Sequence, residues 1–535
     1  MRLPRWAGSH ATVLGGCIPT ERCNGFIPGA GFVDDYDPSV FSLVVQADGK
    51  VLVGGYFSTL GRQPHDHIGR LNPDGTLDSG FESEANARVY SLVVQADGKI
   101  LVGGSFTTLC GQPRDHIGRL NPDGTLDNGF DSGANADVYS LAVQTDGRIL
   151  VGGRFSTLGG QPRRCIGRLN ADGTLDNGFN PEANDIVVPL AVQGDGKILV
   201  GGFFTTLCGQ PRDHIGRLNP DGTLDNGFDS GANADVYSLA VQTDGRILVG
   251  GLYITLGGQP RKYIGRLNAD GTLDNEFDPA ASSSVRSVAV QADGMILVGG
   301  AFDTIGGQAR KHIGRVNNTI PATQSLSYDG ATITWLRGGS NPEVWRATFE
   351  GSDDGLTWTP LGVGERIPGA PDGQSGGWEL KAVSVSADAT VRARGAVTGG
   401  YMNSSGWFVE DYLGTRVWVS RPISQTIRAG DTARFDVVAG GMGPLSYQWH
   451  KDGLVVPDES RVTGAATPTL TLRNVLRADE ANYSVVVANA SGSRSSLVAR
   501  LTVIEPIISI QPVSQVRMPG QSATLSVKAL AACRT

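Results

Sequence analysis

The sequence predicts an all-β protein: a six-bladed β-propeller of 49-residue, four-stranded repeats, followed by β-sandwich domains. Three observations carry that reading. The dipeptide Asp-Gly recurs at Asp48, Asp97, Asp146, Asp195, Asp244 and Asp293, each 49 residues after the last. A Gly-Gly pair follows each one, from Gly54 to Gly299, and an aromatic stands just beyond it at Phe57, Phe106, Phe155, Phe204, Tyr253 and Phe302. No segment shows the 3.6-residue periodicity of a packed helix.

One module reads as four strands. Val138 to Gln144 alternates, Asp146-Gly147 turns, and Ile149 to Phe155 continues. Asp-Gly between apolar strands signals a hairpin, with positive φ expected at both central residues of a type I′ turn. Cys165 to Asn170 gives a third strand, and Asp172-Gly173 turns the chain into a fourth, Thr174 to Phe179. Four short strands in about 50 residues match one propeller blade. An open solenoid is the competing architecture, but its parallel coils rarely turn back in two residues. Residues 106–153 and 204–251 are identical, implying a recent duplication or an assembly artefact; either way the module is the unit of construction.

The sixth copy breaks at Thr319-Ile320-Pro321, before its Thr-Leu-Asp segment. Gly31-Phe32 lies one period ahead of Gly80-Phe81. The N-terminal segment is therefore expected to complete the last blade, so that deleting residues 1–37 lowers the melting temperature. A longer, truncated propeller is the alternative. The repeat resembles the bacterial delta-60 type of propeller repeat, over about 290 residues. That resemblance implies a large extracellular protein and supplies no catalytic residues.

Several repeated positions could carry chemistry. Arg70, Arg119, Arg168, Arg217, Arg266 and Arg315, from the Ile-Gly-Arg motif, could ring the channel as an anion site or pair inside each blade with an acid such as Asp78 or Asp127. His67, His116, Cys165, His214, Tyr263 and His312 share one slot. A zinc site needs three or four converging N or S ligands, and one per blade does not converge unless the slot faces the axis. The Asp-rich turn at Asn72 lacks the EF-hand pattern, and turn chemistry explains it. No nucleophile elbow or zinc-protease motif is present, and the blades differ at positions such as Arg154, Phe203 and Leu252. No catalytic residue, metal or cofactor is assigned.

Residues 321–418 lose the period but alternate as strands, for example Ala331 to Leu336 and Val391 to Gly395. Ser352 to Trp358 resembles an Asp-box hairpin, a structural turn in sialidases. From Ser420 the chain resembles an immunoglobulin-like domain. Trp449 sits on the expected C strand, Tyr483 in a tyrosine corner, and Val437 and Val485 stand where the family often has cysteines. Pro422, Gln425, Gly430, Ala433 and Val437 reappear as Pro512, Gln515, Gly520, Ala523 and Val527, the start of a second copy expected to be poorly ordered. The expected domains are an irregular leader (1–30, a truncated or miscalled start), the propeller (31–320), a β-sandwich of unassigned type (321–418), an immunoglobulin-like domain (419–505) and a truncated second one (506–535).

A formal charge of −8 offers no surplus of Lys and Arg for nucleic acid. No apolar run is long enough for a spanning helix. The N-terminus lacks a continuous apolar signal segment, and the six cysteines form no disulfide framework, since Cys110 and Cys208 occupy one slot two modules apart. The expected function is a non-enzymatic extracellular or cell-surface scaffold for adhesion, binding a protein or glycan. The alternatives are a carbohydrate-active propeller enzyme, a glycosidase or lyase, and an intracellular protein-binding propeller.

Overall fold

The computed structural model describes residues 39–61, 63–353, 357–367, 376–386, 389–414, 417–440, 445–489, 492–504, 507–510, 515–524 and 528–530. Each repeat forms an antiparallel sheet of inner, middle and outer strands. In the third blade these are Val138–Val143, Ile149–Gly153 and Ile166–Leu169. The inner strand meets the middle one across the Asp-Gly turn. Gly147 there takes φ 84 while Asp146 does not enter the positive region, so the turn is not type I′. The Asp146 carboxylate instead accepts the Arg148 amide at 3.0 Å, and Gln144 bonds across to Arg148, giving a longer loop closed by one left-handed glycine.

Three of the four expected strands build the sheet; the fourth does not form. Thr174 to Phe179 makes a single bridge, Leu175 to Leu169. Its Asp176 bends back, with its amide on the Arg168 carbonyl and its carboxylate on Arg168 and the Gly178 amide. The chain then leaves its own sheet, and Phe179 is buried among Leu190, Ile198 and Phe204 of the next blade. A two-residue hairpin, Thr157–Leu158 with Gln161–Pro162, caps the outer rim.

The apolar core lies between blades. Leu52 and Ile68 of the first blade pack with Leu92, Ile100 and Phe106 of the second, and the same arrangement recurs to the sixth. A serine on the inner strand of four blades ties each to its neighbour. Ser42 Oγ accepts the Leu92 amide at 3.1 Å, Ser91 that of Leu141 at 3.2 Å, Ser140 that of Leu190 at 3.3 Å and Ser238 that of Val288 at 3.1 Å. In the fourth blade this slot is Pro189, which can offer no hydroxyl.

Residues 322–413 form two facing sheets. One orders Ala322–Tyr328, Ile333–Gly339, Gly376–Leu380 and Glu365–Ile367; the other orders Thr359–Val363, Arg346–Ser352, Thr390–Gly399 and Ser405–Leu413. Trp335, Phe349, Trp378, Val391 and Val409 fill the space between them. Of the Ser352–Trp358 motif, residues 354–356 lie outside the described residues.

This sandwich sits on the Asp-Gly face of the propeller. Arg394 donates to the Ala47 carbonyl at 2.8 Å and Arg346 to that of Ala96 at 3.2 Å. The Thr243 and Asp244 amides bond Asn341 and Gly339, and Trp345 packs into the core shared by the second and third blades. The hairpin Thr390–Gly399 and Ser405–Leu413 stands between the last inner strand, Val285–Val290, and the first, Ser39–Val45, with Gly406 bridged in parallel to Val44. Its tip reaches into the channel. There Asn403 Oδ1 accepts the Leu239 amide at 3.0 Å, the bond Pro189 cannot accept, and Asn403 Nδ2 donates to the Leu190 carbonyl at 3.2 Å. Ser405 Oγ accepts the Leu43 amide at 3.2 Å. The hairpin thus supplies two of the bonds that inner-strand serines make elsewhere. The N-terminal segment expected to close the ring, with Gly31 and Phe32, lies outside the described residues.

The C-terminal immunoglobulin-like domain pairs Gln425–Arg428 in parallel with Ala499–Ile504 and packs Ser446–Lys451 and Ala481–Asn489 over Ala433–Asp436 and Thr469–Leu472. Trp449 is fully buried, Phe435 stacks on Tyr483 at 4.9 Å, and the Tyr483 hydroxyl donates to the Asp479 carbonyl at 2.9 Å. Val437 and Val485 join this core where cysteines would be bridged. Beyond it, Ile507–Ile510 pairs with Lys528–Leu530.

Cys110, Cys165 and Cys208 are free thiols; Cys17, Cys23 and Cys533 lie outside the described residues. Cys110 and Cys208 adopt φ 50 and 52, in a slot held by Gly61, Gly159, Gly257 and Gly306 at φ 56–58. A side chain in that region costs on the order of 1–3 kcal/mol, partly offset by glycine's greater freedom in the unfolded chain. Cys110→Gly with Cys208→Gly is expected to raise the melting temperature by about 2–6 °C in scanning calorimetry, since about 1 kcal/mol moves a large domain by a few degrees.

Candidate functional site: the open mouth of the propeller

The six Ile-Gly-Arg arginines stand on outer strands, at the seams between blades. Arg168 donates to Asp176 at 2.8 Å and to the Pro220 carbonyl of the next blade at 2.6 Å, with its guanidinium 4.3 Å from the Phe179 ring. Arg70, Arg119 and Arg217 repeat this set with Asp78, Asp127 and Asp225, and Arg266 does so with Asp274 but donates to Asn318 Oδ1 in place of a carbonyl. These five are buried, so their guanidiniums are not gathered into a solvent-facing ring. Arg315 differs: it is exposed and pairs with Asp293. Burial pushes the Asp127 carboxyl up, but hydrogen bonds from Lys99 and Arg119 outweigh it and hold the group down at about 2.

The slot of His67, His116, Cys165, His214, Tyr263 and His312 is left-handed in every blade, φ 63–66. Each backbone amide bonds within its own blade, as His67 to the Phe57 carbonyl at 3.0 Å. Among the described residues no group of three or more His, Cys, Asp or Glu could hold a metal ion. In the turn at Asn72, the Asp74 carboxylate accepts the Thr76 hydroxyl at 2.6 Å and amide at 3.0 Å, which lowers its pKa.

The positions where the blades differ gather elsewhere. Each inner strand carries a bulge near its start, between Val89 and Ser91 in the second blade and between Val138 and Ser140 in the third. A bulge re-aims the extra residue, and here that residue is Phe41, Tyr90, Tyr139, Tyr237 or Arg286, with Val188 and Pro189 sharing the irregularity in the fourth blade. These side chains meet around the hairpin tip, at the end of the channel away from the sandwich. Phe41 lies 5.3 Å from Tyr90 and 6.2 Å from Tyr401, Tyr90 lies 5.0 Å from Tyr139, and Phe203 lies 6.0 Å from Tyr237. Met402 fills the space beside Tyr139 and Val188. Burial pushes the Tyr401 hydroxyl up to about 12.

Charged groups border this aromatic belt. The Tyr139 hydroxyl donates to Asp137 at 3.1 Å, and His116 Nδ1 stands 3.8 Å from the same carboxylate. Tyr237, Asp235 and His214 repeat the arrangement at 3.3 and 3.7 Å. Burial and then the adjacent acid raise both tyrosine pKa values, and burial raises that of Asp235. Arg88 lies over Tyr56 at 4.2 Å. The Arg154 and Leu252 amides bond the Asp137 and Asp235 carbonyls, which brings the variable middle-strand ends to this same face. Sequence reasoning noted Arg154, Phe203 and Leu252 but missed the rest. The available signal was three variable slots (Arg88/Asp137/Asp235, Tyr90/Tyr139/Arg286 and Tyr56/Arg154/Phe203) inside an otherwise constant repeat.

Inside the channel a cavity of about 30 Å³ remains between Leu239, Val241, Glu343, Trp345, Thr398 and Asn403. That volume holds one or two waters. No helix among the described residues is long and apolar enough to cross a membrane.

Comparison with known proteins agrees with this architecture. The family model described as a domain of unknown function (DUF5122) beta-propeller matches residues 46–81, 95–130, 144–179, 193–228, 242–277 and 291–319. The immunoglobulin I-set model matches residues 417–503. Mouse receptor-type tyrosine-protein phosphatase F is 31% identical over 118 residues, 21% of this chain and 6% of that protein. Endoglucanase C of Cellulomonas fimi is 35% identical over 95 residues, 17% of this chain and 8% of that enzyme. The chain thus spans under a tenth of either relative. Among solved structures, the titin M10–obscurin-like 1 immunoglobulin complex matches at 26% identity over 18% of this chain and 99% of its own, with a TM-score of 0.17. The protein is accordingly a six-repeat DUF5122 β-propeller with a C-terminal immunoglobulin I-set domain.

Proposed function

We propose that the protein is a non-enzymatic scaffold, displayed outside the cell or on its surface, whose propeller binds a protein or glycan at the open mouth. Propeller and immunoglobulin-type domains suit a binding role. The observation that carries the choice of face is the asymmetry of the channel. The sandwich covers the Asp-Gly end, its hairpin fills the bore, and the diverging aromatic and charged residues collect at the other end. Aromatic rings with hydrogen-bonding groups at their edges are suited to ligand contact.

A glycan array run beside a chromogenic glycosidase panel tests the reading. Binding without turnover is the expected result. Turnover would replace it with the carbohydrate-active enzyme, a reading to which the partial likeness to Endoglucanase C adds a little support.

A further inference from the structure

The open mouth carries one cluster twice. His116, Asp137 and Tyr139 line the seam of the second and third blades; His214, Asp235 and Tyr237 line that of the fourth and fifth. The two lie in stretches identical over residues 106–153 and 204–251, so they present the same chemistry two blades apart. In each, a carboxylate 28% exposed accepts one tyrosine hydroxyl, and its histidine is too far for a hydrogen bond. Lone pairs are left for hydroxyl donors from outside.

We propose that these clusters are paired subsites for a linear, neutral, polyhydroxylated chain: a polysaccharide read at two of its repeating units. The proposal rests on the binding reading above and names its ligand class. Charge supports neutrality, because Asp137, Asp185 and Asp235 around the mouth are balanced by Arg88, Arg154 and Arg286, favouring neither a polyanion nor a polycation. From one subsite Tyr139 continues into Tyr90 and Phe41 of the preceding blades, with Tyr401 against Phe41; at the other Tyr237 meets Phe203, and Val188 and Met402 pack beside Tyr139. Tyr139 is itself buried, but the half-buried rings of Tyr90, Phe203 and Tyr237 can pack against sugar faces while carboxylates take neighbouring hydroxyls.

Isothermal titration of the full chain with cello- and laminari-oligosaccharides of two to eight sugars tests the proposal. A chain long enough to reach both subsites should bind at least about tenfold more tightly than a disaccharide, because the second contact becomes intramolecular. Asp137→Asn and Asp235→Asn should each remove that gain and cut the disaccharide stoichiometry from two sites to one, and the double variant should abolish both. Circular dichroism and melting of each variant confirm folding. Affinity independent of length, or one silent variant, overturns the paired subsites and leaves single-site binding standing. No binding to either series, with binding to an acidic glycan or a protein on an array, overturns the neutral chain alone. Silence on every array removes the binding reading itself.

Discussion

Arg168→Ala is expected to destabilise the propeller by about 3–5 kcal/mol, the usual cost of breaking a buried ion pair from one side. The substitution strands the Asp176 carboxylate, because Arg148 lies 3.9 Å away and too far to replace the lost bond. It also leaves the Pro220 carbonyl without its donor and uncovers the Phe179 ring, loosening the third blade from the fourth. Arg315→Ala is the internal control. That side chain is exposed and, among the described residues, pairs with an exposed Asp293, so the change should stay within about 0.5 kcal/mol. Urea unfolding of the two variants measures both; equal losses would mean the seam arginines do not hold the blades.

The same network sets an acid limit. Asp78, Asp127, Asp176 and Asp225 all have lowered pKa values in the folded state. A carboxyl whose folded pKa lies below its unfolded value, about 3.9, stabilises fully above that value and loses the contribution as pH falls. With Asp127 at about 2, the loss falls between about pH 4 and pH 2. The melting temperature should therefore hold down to about pH 5 and drop steeply below 4, less steeply in Arg168→Ala.

Asn403→Ala is expected to cost about 2–5 kcal/mol by opening the seal at the hairpin tip. Two buried main-chain groups, the Leu239 amide and the Leu190 carbonyl, lose their partner, at about 1–3 kcal/mol each. Asn403 also sits at φ 52, where alanine is strained. Asn403→Gly removes the strain and keeps the loss of both bonds, so the difference between the two variants isolates the backbone effect. A melt unchanged in both would show that the hairpin merely rests in the channel.

Much of the fold was legible because it follows from local rules repeated six times. The Asp-Gly turns, the Gly-Gly pairs and the buried aromatic recur at fixed spacing, and each is a short-range demand of the chain. The Trp449 and Tyr483 positions read equally well. The site was less legible. Asp137 and Tyr139 are two residues apart where a strand begins, but His116 and Arg154 reach them only across the sheet and the seam, and nothing in the spacing marks a bulge.

The expected fourth strand shows the same limit. Thr174 to Phe179 has strand-like alternation, yet Asp176 is drawn to Arg168 and the segment crosses to its neighbour. Inter-blade burial outweighs local pairing there.

By itself, the sequence determined the repeat, its three sheet strands, the glycine-dependent turns and the immunoglobulin-like core, because backbone geometry and alternation act over a few residues. Only the tertiary structure decided how the ring is sealed among its described residues. Pro189 lacks the hydroxyl its sibling serines offer, and Asn403, more than 200 residues away, accepts the amide left over. A buried amide must find an acceptor, and that requirement does not depend on where in the chain the acceptor lies.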